Sequence, residues 1–327
     1  MNPFINQISV IVCAYTELRW DDLLTAVDSL RAQTHPASEI ILVIDHNPAL
    51  HERAQAQFSD LSVVTNTEKR GLSGARNSGI AVAHGDLIAF MDEDAVADAE
   101  WLEHLNAGFL DPKVIGVGGA IIPWWIAKQS AWFPEEFNWV VGCTYRGMPE
   151  IASPVRNLIG CNMAFRGEVF SQAGGFRGEI GRVGTFPAGC EETELCIRAS
   201  QILPGHIFLF DPHAQVHHRV PAARTSLRYF TDRCFAEGLS KALVSRLVGA
   251  QDGLSSERSY TFNTLPRGVL RGLKDAFVHG KWSGLGRAGA IIIGLGFTTA
   301  GYLAGRLMLL RNKNRSIASQ NLSLDQA

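Results

Sequence analysis

The residues best suited to chemistry are the acids of Leu87-Ile88-Ala89-Phe90-Met91-Asp92-Glu93-Asp94, where an apolar run with the composition of a buried strand stops in three carboxylates. Neighbouring like charges repel, so such a cluster at a strand end points to a divalent cation. Alternate side chains of an extended segment share a face, which aims Asp92 and Asp94 at one ligand and turns Glu93 away. A solvated acidic turn has the same letters without the chemistry, and the surroundings of the motif decide between the two.

A second acidic group, Glu191, Glu192 and Glu194, falls in the first turn of a segment read as helix over 191–199. One carboxylate within reach of an acceptor hydroxyl can act as general base, while acids in that position also complement the helix dipole without any catalysis. Val216-His217-His218-Arg219-Val220-Pro221 follows the short apolar run Ile207-Phe208-Leu209-Phe210. The His pair offers a metal or diphosphate contact, with His217 facing the other way on a strand. Arg224, Arg228 and Arg233 come next, with Tyr229, Phe230 and Phe235 among them. Arg224 and Arg228 sit one helical turn apart and Arg233 is turned off that face, so the spacing supports a two-residue clamp on an anionic acceptor, or a solvated basic face.

The elements that must position these groups alternate. Ile8-Ser9-Val10-Ile11-Val12-Cys13-Ala14 and Glu39-Ile40-Ile41-Leu42-Val43-Ile44-Asp45 read as buried strands, and Leu23, Leu24, Val27 and Leu30 recur between them at helical spacing. Leu61-Ser62-Val63-Val64 precedes Gly71-Leu72-Ser73-Gly74-Ala75-Arg76-Asn77-Ser78-Gly79, which leads into the acidic strand. The order β-α-β-α-β-α-β predicts a mostly parallel, Rossmann-like sheet flanked by helices, with ligands at the carboxyl ends of the strands. Tyr15, Asp45 and Asp92 to Asp94 all fall on that rim. An Asp ending a strand also caps helices, an alternative open for Asp45.

Val-Cys-Ala-Tyr-Thr, Val-Ile-Asp-His-Asn, Gly-Leu-Ser-Gly-Ala-Arg-Asn-Ser-Gly and Met-Asp-Glu-Asp, in this order and spacing, resemble the family 2 glycosyltransferases of the GT-A fold; Gly189-Cys190-Glu191-Glu192-Thr193-Glu194 looks like that family's acidic motif. The resemblance spans roughly residues 7 to 245. It implies a metal-dependent, inverting transfer of a sugar from a nucleotide diphosphate sugar, with Mg²⁺ or Mn²⁺ as cofactor. It further implies Asp94 as metal ligand, Asp92 beside the ribose or the metal's water shell, and His218 as a further ligand. Asp45 would accept from the nucleobase, and Arg76, with Arg70, would complete the nucleotide pocket. The catalytic base maps to Glu192, with Glu191 as neighbour; the family's usual Asp is replaced here by a longer Glu, which leaves Glu191 a possible participant. Gly160-Cys161-Asn162-Met163-Ala164-Phe165-Arg166 resembles the strand under the acceptor side, with Asn162 as a sugar contact.

The C-terminal third has a different character. Residues 288–305 are eighteen uncharged positions bounded by Arg287 and Arg306, about 27 Å of helix, barely a bilayer core. Upstream, Val269, Leu270, Leu273 and Phe277 share one helical face and Arg267, Arg271 and Lys274 another, the form of an interfacial helix. From Arg267 to Arg315 there are nine Lys or Arg against one acid, Asp275. The resemblance implies a glycosyltransferase domain over 1–245, and these features predict a membrane-associated helical region over 246–311 and a disordered tail over 312–327. They place the chain on the cytoplasmic face of the cell membrane, by a single C-terminal span or an in-plane anchor, or else bury the segment as a hairpin of a soluble protein.

Composition fits a globular domain with one greasy segment: 46% hydrophobic, mean hydropathy +0.04, net charge −2. The six cysteines form no Cys-x-x-Cys pair, which argues against zinc or a disulfide framework and for a cytoplasmic setting, and Met1 to Gln7 is too short for a signal peptide. The expected partners are the sugar donor, a glycan or polyprenyl-lipid acceptor and the membrane, with no nucleic acid. The aromatic stretch Pro123 to Glu150 reads as core, acceptor lining or membrane interface. Two other classes carry acids on such a sheet: a nucleotidyltransferase making the activated sugar, which normally has a Gly-rich basic signature near its first strand that is missing here, and a noncatalytic membrane-associated nucleotide-binding protein.

Overall fold

The structure, a computed structural model, describes residues 7–181 and 189–324, without the side chains of 250, 255, 256 and 312–324. β1 (Ile8–Ala14) is buried throughout and sends Val10 and Val12 into one apolar cluster and Ile11 and Cys13 into another. A strand apolar on both faces belongs in a sheet centre. β1 pairs in parallel with β2 (Glu39–Ile44) on one side and β4 (Leu87–Asp92) on the other, and β3 (Ser62–Thr65) extends the sheet beyond β2.

The connecting helices are set by local chemistry. α1 (Trp20–Arg31) buries Trp20, Leu23, Val27 and Leu30 on one stripe. α2 (Pro48–Gln57) starts at Asn47, whose side chain accepts from the Leu50 N–H at 3.1 Å, with proline in the first turn. α3 (Leu72–Ile80) begins after Gly71, whose N–H donates to Asp45 at 3.0 Å. The predicted β-α-β-α-β-α-β order is therefore present, and its strand ends bring Tyr15, Asp45 and Asp92 to one rim.

Beyond β4 the chain passes through β5 (Ala95–Ala97), α4 (Trp101–Gly108), β6 (Val114–Trp125), β7 (Ser153–Val155), β8 (Asn162–Arg166), α5 (Gly167–Ala173), α6 (Glu191–Ile202) and β9 (Ile207–Val220). The sheet order is β3-β2-β1-β4-β8-β6-β9-β5, with β7 on β9. β1 to β4, β6 and β9 run one way, and β5, β7 and β8 run against them. β5 lays Ala95 opposite His218, which brings the end of the acidic motif to the histidine.

The C-terminal part comprises α7 (Leu227–Val248), α8 (Ala250–Gly253), α9 (Ser255–Ser259), α10 (Leu265–Phe277) and α11 (Ser283–Leu324). Two boundaries differ from expectation. The division at 245 falls inside α7, and Gly294 and Gly301 of α11 pack directly on Phe230 and Phe235 of α7, so α11 is built onto α7. The tail expected to be disordered from 312 continues α11 in backbone to Leu324, since no Gly or Pro follows Gly305; 325–327 lie outside the described residues. The aromatic stretch is largely core: Phe133 and Phe137 are buried, and both stack on Phe230.

β6 and β9 slip register between Gly119 and Ala120, and at that bulge the Ala214 carbonyl presses against Gly119 so closely that a Cβ there would collide with backbone. Gly119→Val is expected to destabilise the protein by about 2–4 kcal/mol or abolish soluble expression, read by thermal unfolding; an unchanged melting temperature would contradict this packing.

Candidate active site

At the end of β4 the three acids separate in role. Asp94 is buried, with His218 Nε2 3.3 Å from Oδ1, Arg19 Nη1 3.1 Å from Oδ2 and Arg224 Nη2 3.7 Å from Oδ2. Burial alone would raise its pKa, but His218 and the two guanidinium groups hold it well below the ordinary carboxylate range. Glu93 also donates nothing to solvent: it is buried, accepts from Arg19 at 2.7 Å, and burial together with Asp94 pushes it up to about 7. The repulsion within the motif is thus relieved in part by the protein's own arginines. Asp92 keeps 29% of its side chain exposed at the cavity.

His218 is opposed by two effects: burial disfavours its cation, while Asp94 raises its pKa to about 10. Ligand atoms of Asp92, Cys161 and His218 lie within 4.8 Å of one another, and Asp94 adjoins the same imidazole. This donor set fits a divalent ion. Two carboxylates and an imidazole suit Mn²⁺ better than the all-oxygen preference of Mg²⁺. Burial lifts the Cys161 thiol well above its usual pKa, so it lines the site as a neutral group.

Across the cavity α6 opens with the acidic pair. Glu191 is buried and accepts from Arg76 Nη1 at 2.8 Å; Arg76 Nη2 donates to the Gly160 carbonyl at 3.0 Å and lies 3.6 Å from Asp92. Glu192 has no ion pair among the described residues, is half-buried, and is pushed up to about 8 by burial and by Glu191. A cavity of about 620 Å³ joins Asp92, Cys161, Glu191, Glu192, His218 and Arg224. A protonatable carboxylate therefore faces an acidic and imidazole cluster across one open space.

Residues 9–174 match the model of the family described as glycosyl transferase family 2. The chain belongs to that family. It is 35% identical over 245 residues to the glucosyl-dolichyl phosphate glucuronosyltransferase of Haloferax volcanii, covering 74% of this chain and 78% of that one. It is 26% identical to the succinoglycan biosynthesis protein ExoM of Rhizobium meliloti over 75% of this chain and 82% of that one. Its fold is that of the mannosyltransferase PcManGT from Pyrobaculum calidifontis, solved with GDP-Man and Mn²⁺, at TM-score 0.56, 16% identity, 88% of this chain and 86% of that one. The fold expected from the resemblance, a GT-A glycosyltransferase sheet, is the one observed, and the protein is a glycosyltransferase.

In this glycosyltransferase several residues stand where the sequence reading did not put them. Asn162 is fully buried: its Oδ1 accepts from Trp101 Nε1 at 2.8 Å and its Nδ2 donates to the carbonyls of Ala214 at 2.7 Å and Ala120 at 3.0 Å. It staples β8, β6, β9 and α4, and is no sugar contact. Arg228 is 92% exposed, 3.8 Å from Asp232, because Ser226 caps α7 and leaves Arg224 in the preceding 3-10 turn on a different face; the proposed clamp is absent. Arg224 and Arg233 both line the cavity. Arg76, expected in the nucleotide pocket, is 2% exposed at the cavity wall and joins Asp92 to Glu191. Asp45 caps α3 and accepts from Asn66 Nδ2 at 2.7 Å, so its carboxylate is doubly engaged. Tyr15 remains at the rim, its ring under Arg19. His217 does face away, 3.0 Å from Asp98.

The sequence reading missed Arg19, Cys161 and a half-buried ion-pair chain lining the cavity, Arg156–Glu257–Lys241–Glu237, of which it singled out only Lys241, as a cation; Cys190 donates to Glu237. Arg19 meets Glu93 across 74 residues, and no local pattern announces such a pairing. The sugar-contact expectation for Asn162 came from the family resemblance, which carries no side-chain direction. Asn162→Ala should leave the indole N–H and two carbonyls unpaired and lower stability by about 2–4 kcal/mol; a chemical-denaturation midpoint that does not move, with a raised acceptor KM, would restore the sugar-contact role.

Proposed function

We propose that this glycosyltransferase is metal-dependent and inverting, and moves a sugar from a nucleotide diphosphate sugar to a membrane-associated acceptor such as a polyprenyl-linked glycan, at the cytoplasmic face of the membrane. The observation that carries the reading is the lining of one cavity by Glu192, which has no ion pair among the described residues, together with Asp92 and His218, the latter 3.3 Å from Asp94. A relative named for a glucosyl-dolichyl phosphate acceptor and a fold relative solved with GDP-Man and Mn²⁺ support the substrate classes. One helix, over 283–311, is long and apolar enough to cross a membrane, which supports the location.

Asp94, Asp92 and His218 would hold the ion, whose charge offsets the one that develops on the departing diphosphate. Tyr15, Asp45 and Asp92 border the donor at the rim. Arg224 and Arg233 add positive charge to the same cavity, toward anionic groups of donor or acceptor. Glu192 takes the proton from the acceptor oxygen as that oxygen bonds to the anomeric carbon; the bond from that carbon to the diphosphate oxygen breaks on the opposite side, and its electron pair leaves with the nucleotide. Arg76 holds Glu191 at 2.8 Å, which favours Glu192 as the base and Glu191 as its positioning neighbour.

Glu192→Gln should lower kcat by about 10²–10⁴-fold with little change in donor binding. Only the carboxylate form accepts a proton, so a pKa near 8 predicts activity falling as pH drops through about 8. Acceptor-stimulated nucleotide release, followed by pH, checks both, and a Glu192→Gln variant with wild-type turnover would remove the base assignment.

His218 must lose its proton before it can ligate, and its pKa is raised to about 10, so Mn²⁺ affinity should rise with pH and binding should release protons. Calorimetry in two buffers of different ionisation enthalpy measures that release. Asp94→Asn should weaken Mn²⁺ by at least about 10-fold; unchanged affinity would move the metal elsewhere.

A further inference from the structure

The last two helices reverse the usual burial rule. α11 packs inward with Gly284, Ala288, Ile291, Gly294, Gly301 and Gly305, mostly small, while Leu285, Ile292, Phe297, Leu303, Leu307 and Leu310 stand exposed. α10 repeats the pattern: Gly268, Gly272 and Ala276 are buried, and Leu270 and Phe277 are 65% and 69% exposed. In water the large apolar groups belong inside. Small residues between helices and large ones outside are the arrangement of helices whose outer face meets hydrocarbon.

The inner face of α11 is not free to leave the catalytic domain. A Cβ at Gly238 would strike the Thr298 carbonyl, and one at Gly301 would strike the Phe235 carbonyl. The pairs Gly294–Phe230, Gly301–Phe235 and Gly305–Ala242 advance together, so α11 runs alongside α7 in the same direction through the very stretch that could cross a bilayer. α7, however, carries Arg228 and Asp232 on its surface and Arg233, Glu237 and Lys241 at the cavity. A crossing α11 would draw these charges into hydrocarbon, at about 2.5–3.5 kcal/mol or more for each. A helix laid along the surface avoids that cost, sinking only its outer face.

We propose that α10 and α11 lie in the plane of the bilayer on an anionic lipid surface and do not cross it. This rests on the membrane location proposed above and not on the transferase chemistry. Charge selects lipid as the occupant: Arg267, Lys274, Lys281, Arg306 and Arg311 are exposed around the apolar face, and the one acid in the region, Asp275, is paired with Arg287 at 2.6 Å. Leu295, Thr298 and Tyr302 of α11 also line the catalytic cavity, so this placement sets one cavity wall at the level of the lipid headgroups.

All six native cysteines are buried, so Lys281→Cys and Arg311→Cys, at exposed positions on either side of the apolar stretch, can each report one end of α11. In sealed inside-out vesicles from cells making the full chain, a membrane-impermeant maleimide is expected to label both, and in intact cells neither. Labelling of the two from opposite sides would show a span and overturn the proposal. Recovery of the full chain in the supernatant after vesicle sedimentation would overturn it too, leaving the face to a second copy or another protein. Nucleotide release on the same vesicles separates the two readings: activity with opposite-side labelling sinks only the in-plane placement, and same-side labelling without activity for any donor sinks only the transferase chemistry.

Discussion

A guanidinium sealed beneath the carboxyl edge of the sheet must find its charge balance inside the protein, and Arg76 finds it in acids from distant parts of the chain. Glu191 stands 2.8 Å away, Asp92 3.6 Å, and the Gly160 carbonyl takes the remaining contact at 3.0 Å. Losing one partner would strand a buried charge, a change of about 3–5 kcal/mol. The ion pair therefore fixes the distance between the donor-side strand end and the helix that carries the acidic pair. It also divides that pair: Glu191 is committed to Arg76, and Glu192, with no ion pair among the described residues, is left to the cavity.

Much of this was legible in the sequence because parallel sheets write themselves plainly. β1, β2 and β4 are apolar runs that end in polar residues, and those ends are where ligands meet an open α/β sheet. Asp92 and Asp94 were singled out that way, Glu191, Glu192 and His218 by the family resemblance, and the structure lines one cavity with four of these five while Asp94 touches His218 from behind. What failed was anything that depends on side-chain direction. Asn162 begins β8 and has the look of a rim residue, yet its amide turns inward to two carbonyls and an indole. Arg224 and Arg228 have helical spacing, but the helix starts only at Leu227, so spacing carried no meaning there. Arg19 and Glu93 meet through tertiary packing alone.

The C-terminal helices illustrate a different blindness. Hydropathy identified the apolar stretch, and counting its length could not separate a span from an anchor. The glycines add what length omits, because they record which face of α11 touches the backbone of α7. Their contacts with α7 tie the greasy segment to a helix that also contributes Arg233, Glu237 and Lys241 to the cavity, and Glu257 of α9 pairs with Lys241 at 2.7 Å. The cavity is thus lined jointly by the sheet domain and the helices that follow it, and the division at 245 falls inside α7.

Opposite electrostatic surroundings give Asp94, behind the His218 imidazole, and Glu192, on the cavity wall, opposite properties. Asp94 is buried among His218, Arg19 and Arg224, and stays ionised far below neutral pH. Glu192 is enclosed beside Glu191, whose own charge is turned toward Arg76, and its proton is held to about 8. In the proposed reading the first would stay anionic to hold a cation and the second would gain and lose a proton, and these two environments suit those tasks.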